Sequence, residues 1–131
     1  MLAALLVVLG AALALPYLAG MSRSRDPRGL LAFGLALAAC IYVGFAWFYE
    51  APPLWFSVEV GGVVAYTGLA LALRGRPVAW LGAAWIAHGL WDIGLHELAG
   101  GGDFAPPWYP EACLGFDLAV GAWAIRWRGR E

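Results

Sequence analysis

The chain has 131 residues, 63% of them apolar and only 13% charged, with a formal net charge of −1. A soluble domain runs near a quarter charged, so the composition, with a mean hydropathy of +0.73, points to an integral membrane protein. No basic tract with interleaved aromatics offers a nucleic-acid surface.

Near-continuous apolar runs of about 20 residues have the length of a membrane-crossing helix. Five occur, at residues 2–18, 30–49, 54–73, 78–99 and 109–127. The first lacks the basic leader of a cleaved signal peptide, so it is expected to stay as a helix. The first two runs carry Gly10, Gly34 and Gly44, small residues that suit close packing, and read as scaffold. The third holds Glu59 among Val58, Val60, Gly61 and Gly62, with Tyr66 and Thr67 deeper. The fourth should be apolar throughout but contains His88, Asp92, His96 and Glu97. Residues 100–107 mix glycines with prolines, the makings of a hinged lid or of a plain turn. The fifth run carries Pro110 and Glu111 at its start, then Cys113 and Asp117.

The expected fold class is therefore all-α: one integral membrane bundle of five transmembrane helices over residues 1–131. Its orientation follows from the arginines. Arg23, Arg25 and Arg28 follow the first run, Arg74 and Arg76 the third, and Arg126, Arg128 and Arg130 the fifth. By the positive-inside tendency the N-terminus is outside and the C-terminus cytoplasmic. Seven of the nine carboxylates map to the opposite half: Glu50, Glu59, Asp92, Glu97, Asp103, Glu111 and Asp117; Asp26 and Glu131 are cytoplasmic. Trp47, Phe48, Tyr49, Trp55, Phe56, Phe104, Trp108 and Tyr109 crowd the same outer rim. They read as an interfacial belt, or as a wall around the entry path of an apolar ligand.

Ionisable groups inside a membrane helix are costly, and by default they mark a working site. At about 100° per residue, His88, Asp92 and His96 fall along one helix face. Counting about 1.5 Å per residue from the outer ends puts Cys113 about 6 Å deep, Glu59 about 8 Å, Asp92 about 11 Å, Asp117 about 12 Å and His88 about 17 Å. Side chains from the third, fourth and fifth helices could thus meet in an outward-facing polar pocket. His88 and His96 lie about 12 Å apart along the axis, too far to share one metal. The stripe supports one metal held by a pair plus ligands from elsewhere, or two sites bridged by Asp92. Candidate metal ligands are His88, Asp92, His96, Asp117, Glu59 and Cys113; candidate catalytic carboxylates are Asp92, Asp117 and Glu59. Imidazole and carboxylate suit a divalent ion, zinc, iron or manganese. Glu97 points away from the stripe and reads as a solvated rim carboxylate, and Glu111 beside Pro110 as a helix-start carboxylate or a member of the site. Cys113 reads first as a small packing residue. Cys40 and Cys113 differ in depth by about 8 Å, which disfavours a disulfide.

The run Ala87-His88-Gly89-Leu90-Trp91-Asp92 to His96, followed by Pro107-Trp108-Tyr109-Pro110 and Cys113 to Asp117, resembles a family of small bacterial integral membrane proteins of unknown function. The resemblance covers about the last third of the chain. It implies a four- or five-helix multi-pass fold in the bacterial inner membrane and these His, Asp and Cys positions as family features, with Glu111 a departure. It implies no activity, and whether the chain is an enzyme stays open. Three functions compete. The first is a metal-dependent membrane enzyme acting on a lipid or apolar small molecule. The second is proton- or cation-coupled transport through Glu59, Asp92, Asp117 and His88, with a homo-oligomer as the natural partner of so small a chain. The third is a structural or assembly subunit whose polar cluster locks helices together.

Overall fold

A computed structural model describes residues 1–101 and 104–127; Gly102, Asp103, Arg128, Arg130 and Glu131, to which the sequence assigns loop, rim or basic-end roles, lie outside the described residues. The described chain is all-α, with no strand. The helices are α1 (Leu2–Arg23), α2 (Pro27–Phe48), α3 (Pro53–Leu73), α4 (Val78–Asp92) and α5 (Tyr109–Arg126), and α4 continues into a π-helical stretch, Ile93–Leu98.

Prolines set the starts. Pro27, Pro53 and Pro110 occupy first-turn positions, where a missing N–H costs nothing. Asp26 caps α2, its Oδ1 accepting from the Gly29 N–H at 2.8 Å. Its Oδ2 accepts from Arg74 at 2.8 Å. The α1–α2 and α3–α4 connections therefore share one end of the bundle, as the arginine distribution requires. Gly29 and the Arg74 guanidinium hold the exposed Asp26 carboxyl below the usual carboxylate range.

Three helices, α1, α2 and α3, are long and apolar enough to cross a membrane. The two polar-bearing helices, α4 and α5, pack on each other most extensively, with α1 covering the other side of α5 and α2 lying along α3. Backbones approach closely where side chains vanish. A Cβ on Gly10 would strike the Ala112 carbonyl, and one on Gly115 the Val7 carbonyl. A Cβ on Gly82 would lie 2.7 Å from the Gly121 carbonyl oxygen. Gly34 abuts Tyr17 and Trp85, but Gly44 has nothing nearby, so the close packing expected there is absent.

The core is layered. An apolar cluster including Met21, Leu31, Leu35, Leu81, Trp85 and Val120 fills the arginine-bearing end and the middle. A smaller aromatic cluster around Tyr42, Ala46 and Phe104 closes the other end, with Phe45, Trp55 and Tyr109 against it. Between them, among the described residues, lie five buried polar or charged side chains, Glu59, His88, Asp92, His96 and Asp117.

Candidate metal centre

His88 and Asp92 stand one turn apart on α4, and Cys113 and Asp117 one turn apart on α5. The tight α4–α5 seam sets the two pairs face to face. Gly89 makes this possible, since a Cβ there would sit 3.0 Å from the Asp117 Cβ and 3.2 Å from the Leu114 Cα. His88 Nδ1 lies 2.7 Å from Asp117 Oδ2 and 3.6 Å from Asp92 Oδ2. The Cys113 thiol reaches the same Asp117 oxygen at 3.9 Å. One donor atom from each residue falls within a 4.8 Å cluster. The four residues are 1%, 2%, 8% and 1% exposed for His88, Asp92, Cys113 and Asp117.

The charge balance is uneven. Two carboxylates share one imidazole, and the ion pairs recorded for them among the described residues are to histidine alone. Asp92 Oδ2 and Asp117 Oδ1 are buried without a hydrogen-bond partner among the described residues. Buried carboxylate oxygens left so are costly unless a proton or a cation meets them. A nitrogen, a sulfur and two oxygens form a donor set that a divalent ion could use, and the thiol favours zinc over manganese.

The predicted stripe of three does not hold as one group. Beyond Asp92 the helix widens into the π-helical stretch, marked by the Ala99 N–H donating to the Gly94 carbonyl. The wider turn breaks the α phase that aligned His96 with His88 and Asp92. His96 instead pairs with Glu59 of α3, Nε2 to Oε1 at 3.3 Å, outside hydrogen-bond alignment. Its Nδ1 donates to the Gly101 carbonyl at 2.8 Å. Glu59 thus joins His96 and not the α4–α5 cluster. Cys113, read first as packing, lies inside that cluster. A void of about 10 Å³, lined by Tyr42, Glu59, Tyr66, His88 and Asp92 among others, separates the two polar groups; it has room for roughly one water.

Tyr42 was not singled out in the sequence, yet it stacks flat on the His96 ring, centroids 3.9 Å apart at 6°. Phe104 meets the same ring edge-on at 5.5 Å, and Tyr109 meets Tyr42 at 5.3 Å. The available signal was a tyrosine in mid-span of an otherwise apolar helix. Phe104 and Ala105 are buried, so this part of the 100–107 loop folds onto the polar layer. Glu97 is exposed, as expected, and Glu111 sits in the first turn of α5 with a buried, unpartnered Oε2. Trp47, Phe48, Tyr49 and Trp108 are exposed, while Phe104 is buried. Cys40 and Cys113 are free thiols.

A small helical bundle with helices of membrane-crossing length around an internal polar layer fits a membrane protein. The chain belongs to the family of unknown function DUF6010, whose model matches residues 2–130 and so spans far more than the last third that carried the sequence resemblance. No curated protein and no solved structure matches it.

Proposed function

We propose that the chain is a five-span integral membrane protein whose working part is a divalent-metal centre, zinc in the first instance, held by His88, Asp92, Cys113 and Asp117. The N-terminus is outside and the centre lies in the outer half of the membrane. Clustering of four buried donor atoms within 4.8 Å carries this reading. A bound divalent ion would act there as a Lewis acid, in keeping with an enzyme acting on a lipid or apolar small molecule. Asp92 and Asp117 are the carboxylates placed to move a proton. Glu59 and His96 form a neighbouring pair that orients rather than ligates, because His96 is clamped by Tyr42 and the Gly101 carbonyl.

Metal analysis of protein purified without chelators tests this. About one zinc per chain is expected, with loss on His88→Ala, Asp92→Ala or Asp117→Ala. Metal-free protein that also fails to take up added zinc would overturn the reading. The 2.7 Å His88–Asp117 contact favours a second reading, a hydrogen-bonded pair that only locks α4 to α5. It predicts no metal, and a loss of stability on breaking the pair.

A further inference from the structure

The α1 and α2 helices touch near their tight connection, where the Tyr17 hydroxyl donates to the Leu30 carbonyl at 2.8 Å. Beyond that point they part, because α1 follows α5 through Gly10 and Gly115 while α2 follows α3. The parting leaves a cleft of about 370 Å³. Leu13, Leu37 and Ile41 stand at its exposed rim, and Trp85, Cys113 and Asp117 line its buried side. Its walls are apolar apart from that inner end. A gap opening sideways between membrane-crossing helices faces hydrocarbon, so its natural filling is an apolar chain. The inner end adds a chemical demand. Asp117 is 1% exposed; its Oδ2 is engaged by His88, whereas its buried Oδ1 has no partner among the described residues. A buried acceptor of that kind calls for a donor.

We propose that the cleft binds a single-chain amphiphile ending in a hydroxyl. The chain lies between α1 and α2, and the hydroxyl meets Asp117 beside the metal centre. The place of that hydroxyl in any reaction rests on the metal-centre reading; occupancy of the cleft does not. The ligand class is a long-chain primary alcohol, free or as the glycerol end of a monoacylglycerol.

The full chain is reconstituted in phosphatidylcholine nanodiscs with a diazirine-bearing long-chain alcohol and irradiated, and the adducts are mapped by peptide mass spectrometry. Adducts are expected on Leu13, Leu37 and Ile41 rather than on the lipid-facing Phe33 and Val64. Unlabelled hexadecanol should compete about tenfold better than hexadecane, as one hydrogen bond allows. Monoacylglycerol, run as a further competitor, separates the two sources of the hydroxyl. Ala38→Trp should abolish labelling by filling the cleft. Ile41→Trp, at the exposed rim, should do the same with little risk to folding. His88→Ala should lose metal but keep the adducts. Cleft labelling in a protein that never binds metal would retain the alcohol site and remove the metal centre. Uniform labelling of Phe33 and Val64, or equal competition by hexadecane, would show mere filling by bilayer chains and overturn the proposal.

Discussion

Asp117 touches both partners that matter at the α4–α5 seam, the His88 imidazole at 2.7 Å and the Cys113 thiol at 3.9 Å. Removing it from metal-free protein strands a buried imidazole, and breaking a buried pair in this way costs about 3–5 kcal/mol. Asp117→Ala is therefore expected to unfold early in a thermal or dodecyl sulfate titration. Replacing Asp117 and His88 together with leucine should recover part of the loss, because the imidazole is no longer stranded, although Asp92 then loses its ion pair to His88. A double variant no better than the single would show that packing, not the unpaired group, sets the cost. Tyr42 gives a contrasting case. Its ring stacks on His96, but its hydroxyl is buried without a partner. Tyr42→Phe keeps the stack and deletes the idle hydroxyl, so stability should stay within about 0.5 kcal/mol of wild type or rise. A loss above about 1 kcal/mol in the same titration would place a water or ion on that hydroxyl.

Glycine positions decide which helices approach. On Gly115 a Cβ would strike the Val7 carbonyl, so Gly115→Ala must push α1 off α5, at a cost of about 1–3 kcal/mol. Gly44 has open space around it, and alanine there should stabilise by up to about 1 kcal/mol through helix propensity. Unfolding titrations of the two variants should move in opposite directions. The sequence marks glycines as small without saying which meet a partner: Gly10 and Gly34 do, Gly44 does not, and the Gly82–Gly121 contact becomes visible only once α4 lies on α5. The π-helical stretch was hidden for a similar reason. Residues 78–99 read as one α-helical run, and the wide turn matters because His96 meets Glu59 and Gly101 from elsewhere in the chain. Local signals worked better at helix starts, where Glu111 after Pro110 does stand in the first turn of α5. Asp26, which the sequence reading placed only on the basic side, caps α2, and its consequence is a pH dependence. Its folded-state pKa is lowered, so its contribution is complete above the unfolded value of about 4 and fades as pH falls through the folded one. Thermal midpoints of wild type and Asp26→Asn should separate at neutral pH and converge in acid; a constant gap down to pH about 3 would dissociate the effect from ionisation.

At the scale of the whole molecule, patterning went furthest where water and lipid impose it. Five apolar runs became five helices, three of them long and apolar enough to cross a membrane, where backbone groups must be satisfied within the segment. Matching depths pointed to Asp92 and Asp117 at one level, and in the structure these two do cluster, together with His88 and Cys113, whose counted depths of about 17 Å and 6 Å had set them apart. Depth alone could not divide the polar layer into two groups, because it carries no azimuth between helices; Glu59 accordingly sits with His96. The same patterning assigns sidedness, and α2 is the helix on which to test it. Arg25 precedes α2 and Glu50 follows it, both exposed. On the proposed orientation the basic connection holding Arg25 and Asp26, tied to Arg74, lies inside and Glu50 outside. In a Cys40→Ser background, with Cys113 buried, Glu50→Cys should react with a membrane-impermeant maleimide on intact cells. Arg25→Cys should react only after permeabilisation. The reverse pattern would invert the protein and turn the proposed metal centre towards the cytoplasm. Labelling of both from one side would mean that α2 does not cross at all, and the bundle would then have to lie on the membrane rather than through it.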